Sequence, residues 1–373
     1  MKKISLVIDS RAIQNSGIGV YLRKLLPHIL ESGSYRVSLL GKKQAVQEAC
    51  AASELEGSLK GITIIECGAG TYSFREQAEL PLKVPPCDIF WSPHYNIPIP
   101  PVRAKHRVVT IHDVYHLAYI HTLRLVEKMY AGIVLPLAAR LSERVITVSS
   151  FSKGEIVRYT GVKPEKVEVI HNGVDYPEFR NAESDETMVP SCRYVLYVGN
   201  VKPHKNITGL IKAFAIFHRS FPNVKLAIVG KKDNFIHGIR NPDELITGLG
   251  IDQHIVFTGF VGDHALHSLY KKAFAFVVPS FYEGFGLPPL EAMASGVPVI
   301  ASRAASIPEV CGDAALYVNP HDPQDIAQAI ARVFRDDSLR EKLIRRGRIR
   351  AQRFSWQASA AKHMKLFEEL HGR

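Results

Sequence analysis

Two carboxylates and two glycines fall within one short stretch, Pro279 to Ala301, PSFYEGFGLPPLEAMASGVPVIA. Glu283 and Glu291 are separated by seven residues, with Gly284 and Gly286 between them. Glycine lets backbone approach a ligand closely, and the amides at a helix start carry roughly half a positive charge. The stretch is therefore suited to an anion. Carboxylates facing the same crevice suit sugar hydroxyls rather than phosphate, so the combination points to a sugar carried on a nucleoside diphosphate. An ordinary strand, turn and helix with two surface glutamates is the alternative.

These side chains need a strand to end before them and a helix to start behind them. Ala275 to Val278 supplies an apolar run that reads as a buried parallel strand, and Pro288 and Pro289 open a helix over Leu290 to Ala294. The same alternation runs along the chain. A first series of strands is expected at Ile4–Ile8, Arg36–Leu40, Ile62–Ile65, Ile89–Ser92, Val108–Ile111, Val145–Val148 and Val167–Ile170. A second series is expected near Tyr194–Val198, Lys225–Val229, Ile255–Phe257, Ala275–Val278, Val299–Ala301 and Ala315–Val318. Helical patterns fill most gaps, which predicts an α/β protein with two doubly wound, Rossmann-like parallel sheets. The stretch Tyr176–Ser191 has the composition of a linker, giving domains at 1–180 and 191–355. Ligands of such sheets sit at the carboxyl ends of strands, and the cleft between the two domains is the expected site.

The chain has 373 residues, 46% hydrophobic and 22% charged, as expected of a globular protein with two sizeable cores. Its five cysteines, Cys50, Cys67, Cys87, Cys192 and Cys311, are scattered without a C-x-x-C pair and read as reduced thiols of a cytoplasmic protein. Asp9, Ser10 and Arg11 cut off the first apolar run before signal-peptide length, and no run approaches a membrane span. The formal charge of +11 attracts polyanions generally. Its densest cluster, Arg340, Lys342, Arg345, Arg346, Arg348, Arg350 and Arg353, spreads around a helix as a solvated face would. No RNA-binding aromatic string, zinc finger or basic zipper accompanies it, so nucleic acid is not an expected partner. A peripheral contact with anionic lipids of the inner membrane leaflet fits the charge better.

The ordered string Glu283-Gly-Phe-Gly-Leu-Pro-Pro-Leu-Glu291, then Ala294-Ser-Gly-Val-Pro-Val-Ile300 and Ser306-Ile-Pro-Glu-Val310, resembles the signature of the retaining family 4 glycosyltransferases with the GT-B fold. The resemblance covers nearly the whole chain. Asn15-Ser-Gly17-Ile-Gly19 follows the first strand, where two glycines before a helix would bring amides toward a diphosphate or the acceptor; a tight turn is the plain alternative. Trp91-Ser-Pro-His94-Tyr95-Asn96 and Thr110-Ile-His112-Asp113 follow later strands. His112 resembles the family's active-site histidine near the donor sugar, although a structural role is open for it and for His94. Ser149-Ser-Phe-Ser152-Lys153 resembles another family stretch, with a role that could be architectural.

In the second half, Lys205 of Gly199-Asn200-Val-Lys202-Pro-His204-Lys205 corresponds to the family lysine that contacts the donor diphosphate. Asn200 stands where many relatives carry arginine, leaving Lys202 or His204 to supply that charge. Lys231 and Lys232 could add field at the same edge, and Phe260 and Val261 correspond to the segment whose backbone meets the nucleotide base. In family terms Glu283 holds donor-sugar hydroxyls, Glu291 holds the ribose, and amides around Phe285, Gly286 and Leu287 serve the leaving group. The final helix, 356–373, is expected to pack back on the first domain.

The resemblance implies transfer of a sugar with retained configuration and without a separate base or cofactor. No Asp-x-Asp pair is present, so no metal is expected. GDP-mannose is the favoured donor by similarity to bacterial mannosyltransferases of polysaccharide and O-antigen assembly, with UDP-sugars or dTDP-rhamnose open. The acceptor the resemblance implies is a saccharide or lipid-linked saccharide. A non-catalytic nucleotide-sugar-binding protein is the rival from another class.

Overall fold

Runs such as Tyr194–Val198 (YVLYV) and Ala275–Val278 (AFVV) carry apolar side chains on both faces, which suits parallel strands covered by helices on each side. The computed structural model describes residues 3–15, 17–51, 61–122, 125–175, 185–230 and 242–372. It divides the chain into two units, Met1–Gly173 together with Trp356–Arg373, and Val174–Ser355.

The first unit contains strands β1 (Ile4–Asp9), β2 (Tyr35–Gly41), β3 (Thr63–Glu66), β4 (Cys87–Ser92), β5 (Ala104–Thr110), β6 (Arg144–Thr147) and β7 (Val167–Val169). They form one parallel sheet in the order β3-β2-β1-β4-β5-β6-β7. Its helices are α1 (Ile18–Glu31), α2 (Lys43–Ala51), α3 (Phe74–Lys83), α4 (Tyr115–Ala118), α5 (Leu125–Leu141) and α6 (Ser150–Thr160). The second unit has β8 (Tyr194–Val198), β9 (Lys225–Val229), β10 (Ile255–Gly259), β11 (Ala275–Val278), β12 (Val299–Ser302) and β13 (Ala315–Val318), parallel in the order β10-β9-β8-β11-β12-β13. Helices α7 (Ile207–His218), α8 (Pro242–Leu249), α9 (Asp263–Lys272), α10 (Leu287–Ala294), α11 (Ile307–Cys311), α12 (Pro323–Arg335) and α13 (Asp337–Ala351) cover it. In each sheet the strand order reverses beside the first strand, between β1 and β4 and between β8 and β11. Such a reversal opens a crevice at the carboxyl ends, where ligands of these sheets bind.

The last helix, α14 (Trp356–His371), belongs to the first unit. Its buried His363 and Phe367 pack on Trp91, with ring centroids 5.4 and 5.5 Å away. The Tyr35 hydroxyl donates to Met364 O at 3.1 Å.

Two expectations need correction. The units divide at Gly173–Val174 rather than at 180, because the Val174 N–H already donates to Phe354 O. The second unit likewise starts before 191, since the Asp185 N–H donates to Ser268 Oγ on α9; residues 176–184 of the expected linker lie outside those described. The basic helix α13 is not simply a solvated face either. Arg346 donates to Asp313 O, Arg350 to Val310 O, and Arg340 lies 4.6 Å from the centre of the Phe274 ring. Long arginine stems let these charges bind carbonyls and aromatic faces of their own unit.

Candidate active site

The chain leaves β8 through Gly199 to Lys205, and Asn206 then takes a left-handed conformation (φ 56°) as the N-cap of α7. Its Oδ1 accepts from the Gly209 N–H at 3.2 Å, and its Nδ2 donates to Pro279 O and Pro320 O at 3.1 and 2.6 Å. One buried amide thus ties the turn after β8 to the end of β11. The Phe281 N–H adds a second tie to His204 O at 2.8 Å. Across this junction Lys205 Nζ donates to Glu283 Oε2 at 2.6 Å, and Ser280 Oγ donates to Glu283 Oε1 at 2.8 Å. The ion pair is largely shielded, with 21% and 13% of the two side chains exposed. It sits at the strand-order reversal of this sheet.

After Glu283 the turn is fixed by its neighbours. Ser306 Oγ bonds Glu283 O and Phe285 O at 2.9 and 3.0 Å. Gly286 has φ 99°, a backbone conformation that favours glycine. Prolines 288 and 289 have no N–H, so the donors this turn can offer an anion are chiefly the amides of Phe285, Gly286 and Leu287. The buried Phe285 ring anchors the turn against Phe354, 5.8 Å away. Glu291, half-buried on α10, accepts from the Tyr270 hydroxyl at 2.7 Å. The two carboxylates therefore have different partners, a lysine for Glu283 and a buried tyrosine for Glu291.

Asn200 and Lys202 lie exposed on the loop that ends at Lys205. Phe260, after β10, is 79% exposed while Val261 is buried, so the phenyl ring as well as the backbone faces solvent there. Lys231 and Lys232 lie outside the described residues.

In the first unit the candidates again follow strand ends. Gly17 caps α1, but Gly19 lies inside the helix rather than before it, and its N–H is bonded to Asn15 O at 3.1 Å. That removes the Gly19 amide as an anion donor. A Cβ on Gly19 would sit 2.4 Å from Ile13 O, so glycine is needed there for packing. His112 follows β5, with its Nε2 donating to Pro93 O at 2.9 Å and its ring edge-on to Tyr21 at 4.8 Å. Burial pushes its pKa down, only partly opposed by the Pro93 carbonyl and Asp113. The neutral ring then carries its proton on Nε2, leaving Nδ1 as the basic nitrogen. Ser152, in the stretch read as architectural, donates to His112 O at 3.0 Å, and Ser149 caps α6 by accepting from the Ser152 N–H. His94 and Tyr95 follow β4 with ring centroids 4.3 Å apart, and burial also lowers the His94 pKa.

One assembly was not legible. Arg11, read above only as a polar stop, is buried between Asp9 and Glu76 at 2.8 and 2.9 Å, and Tyr130 on α5 donates to Glu76. Arg11 also donates to Ala69 O and Asn96 O, so one guanidinium joins the loops after β1, β3 and β4. Apart from Asp9, these partners lie 58 to 85 positions away in sequence, beyond any local pattern.

Similarity to known proteins identifies the family and the fold. The profile of "Glycosyltransferase Family 4" matches residues 16–176, and that of "Glycosyl transferases group 1" matches residues 181–350. O-antigen chain mannosyltransferase B of Escherichia coli is 31% identical over 294 residues, which cover 76% of this chain and 74% of that protein. O-antigen chain mannosyltransferase RfbU of Salmonella typhimurium is 32% identical over 240 residues, 64% of this chain and 63% of that protein. Among solved structures, Anabaena Alr3699/HepE in complex with UDP and glucose superposes with a TM-score of 0.76 at 19% identity, covering 98% of this chain and 100% of the other. That likeness is one of fold.

Proposed function

The chain belongs to the family 4, group 1 glycosyltransferases of the GT-B fold, and from that premise we propose that it transfers mannose from GDP-mannose to a hydroxyl of a saccharide or lipid-linked saccharide, with the anomeric configuration retained. The observation that carries the reading is the Lys205–Glu283 pair at the strand-order reversal of the second sheet. An ammonium has three donor hydrogens, so Lys205 can keep one on Glu283 while turning others to a diphosphate. As the bond from the anomeric carbon to the diphosphate breaks, charge grows on the phosphate oxygens. Lys205 and the amides of Phe285, Gly286 and Leu287 are preorganised to meet it. Glu283, held by Lys205 and Ser280, accepts hydrogen bonds from donor-sugar hydroxyls, and Glu291 accepts from the ribose. The acceptor oxygen bonds the anomeric carbon on the face the diphosphate leaves, and its proton passes to the departing phosphate oxygen. No separate base is needed, and protein cations and amides stand in for a metal.

The mannosyl donor rests on the two O-antigen mannosyltransferase relatives. A membrane-linked acceptor would suit the +11 charge through a peripheral contact; no described helix is long and apolar enough to cross a membrane.

A thermal-shift series with GDP, UDP, dTDP and ADP tests the donor, since a ligand at a hundred times its dissociation constant adds about 2.7 kcal/mol to native stability. GDP is expected to give the largest shift. A dominant UDP or dTDP shift would move the donor assignment and leave the glycosyltransferase. No shift with any nucleotide at millimolar concentration would favour a non-catalytic protein. Sugar transfer is expected to persist in excess EDTA, and a loss restored by Mg²⁺ or Mn²⁺ would overturn the metal-independent mechanism.

A further inference from the structure

We propose that the first unit carries a docking site for an anionic phospholipid, with the headgroup phosphate in a basic groove at the carboxyl end of α5 and the hydrocarbon against an exposed apolar stripe on that helix. The site gives the peripheral membrane contact a defined place, and it depends neither on the donor nor on the transfer reaction. Helix α5 is apolar on two faces. Ala131, Val134, Leu135, Ala138 and Ala139 are buried in one core cluster, as expected of a helix that covers a sheet. Leu125, Met129 and Ile133, spaced four apart on the opposite face, are 72%, 59% and 54% exposed. They run along about 12 Å of the helix axis. Three large apolar side chains in one line disfavour contact with water, and covering them is favourable.

The charge at the end of the stripe indicates what covers it. Arg140 lies seven residues, close to two turns, beyond Ile133 and so on the same face. With Arg144, Lys163 and Lys166 it lines an open groove of about 670 Å³, which also holds the carboxylates Glu143 and Glu165. Four cations against two carboxylates leave a positive excess of two, and Glu143 is already bonded to His106 at 2.6 Å. Backbone carbonyls hold three of the cations. Arg140 donates to Thr160 O at 3.0 and 3.2 Å, Arg144 to Glu165 O at 2.7 Å, and Lys166 to Arg140 O at 2.7 Å. A carbonyl orients a cation without neutralising it. Partial burial also pushes the Lys166 pKa down, opposed only in part by Glu143, so an anion beside it would favour the charged form. A water-soluble phosphate would fill the groove and leave the stripe bare. A second copy of the chain would bring its own net charge of +11 toward a positive groove. A phosphodiester that carries acyl chains satisfies both features, as when an interfacial helix sets its apolar face at the hydrocarbon boundary and its cations among headgroups.

The test is co-sedimentation of the full chain with vesicles of phosphatidylethanolamine containing phosphatidylglycerol, and with vesicles of phosphatidylcholine alone. A groove variant, Lys163→Glu with Lys166→Glu, and a stripe variant, Leu125→Gln with Met129→Gln and Ile133→Gln, are compared with the wild type. A control, Lys342→Glu with Arg345→Glu on the exposed side of α13, changes the net charge as much as the groove variant does. The wild type is expected to bind the phosphatidylglycerol vesicles and not phosphatidylcholine. The groove and stripe variants should each lower the partition constant by at least about tenfold, and the control by less than about twofold. Tryptophan fluorescence melts report whether the first unit stays folded; if the groove pair lowers the midpoint, Lys163→Glu alone, at an exposed position, replaces it with an expected loss of about fivefold. No binding of phosphatidylglycerol vesicles by the wild type, equal binding of phosphatidylcholine, or an equal loss in the α13 control would each overturn the proposal. A stripe variant that binds as the wild type does would overturn the lipid assignment. Isothermal titration showing inorganic pyrophosphate bound by the wild type but not by the groove variant would then make the groove a site for soluble phosphates. A wild-type dimer in light scattering that the stripe variant turns into a monomer would assign the stripe to a second copy, and that also overturns the proposal.

Discussion

Lys205 and Glu283 neutralise one another in a mostly shielded position, and each is therefore part of the other's function. Removing the lysine takes away a charge for the leaving diphosphate and also leaves a carboxylate without its cation, free to turn from the sugar. Removing the glutamate leaves the lysine without the group that aims it. Lys205→Ala and Glu283→Ala are each expected to lower kcat/KM by about two to three orders of magnitude. The double variant is expected to lose much less than the product, because groups acting as a unit are non-additive. Steady-state kinetics on the three variants checks this. Unchanged turnover in Lys205→Ala would take that residue out of the site, and full additivity would mean that the two residues act independently rather than through the observed ion pair. Both residues were legible from their motifs. The hydroxyl on the far side of Glu283, Ser280, was quoted but given no role, because a serine three positions before a glutamate carries no signal of its own.

At the scale of elements, the strands were the most legible feature because buried parallel strands must be apolar throughout. The exception is instructive: β5 starts at Ala104, earlier than the apolar run at Val108. Its first residues are polar but paired, Lys105 with Asp88 at 2.8 Å and His106 with Glu143 at 2.6 Å. Hydrophobicity does not report a charge whose partner lies on another strand or loop. The same blindness hid Asn206, the residue that follows Lys205. Its side chain bonds three backbone groups, two of them 73 and 114 positions away. Asn206→Ala is expected to destabilise the protein by about 2–3 kcal/mol, combining loss of a helix cap with buried carbonyls left unpaired. It should also lower kcat/KM by about tenfold or more, because Lys205 loses the tie that sets its distance to Glu283. Denaturant unfolding and kinetics separate the two effects. Lost stability with full activity would show that Asn206 supports the fold without positioning the lysine.

The whole molecule carries its acid sensitivity unevenly. His363 on α14 is completely buried in the first unit, where its Nδ1 donates to Ser359 O at 2.8 Å and its Nε2 accepts from the Tyr21 hydroxyl at 2.6 Å. Both nitrogens are satisfied only in the neutral ring. Burial, reinforced by nearby His112 and opposed by the Ser359 carbonyl, pushes its pKa from the ordinary 6.5 down to about 4. With the folded value below the unfolded one, the unfolded chain takes up the extra proton first. The stability His363 contributes is then complete above about pH 6.5 and is lost as the pH falls toward 4, at up to about 1.4 kcal/mol per pH unit. The two tryptophans, Trp91 and Trp356, are both buried in this unit, so tryptophan fluorescence reports its unfolding. The fluorescence melting midpoint of the wild type is expected to fall steadily from pH 7 to pH 5. His363→Gln should start lower at pH 7, because the amide fills the space of the fully buried ring incompletely, yet fall less steeply by roughly the slope of one proton. Curves that stay parallel across this range would mean that His363 takes up its proton as readily in the folded protein as in the unfolded chain, and the acid response would then have to come from the carboxylates.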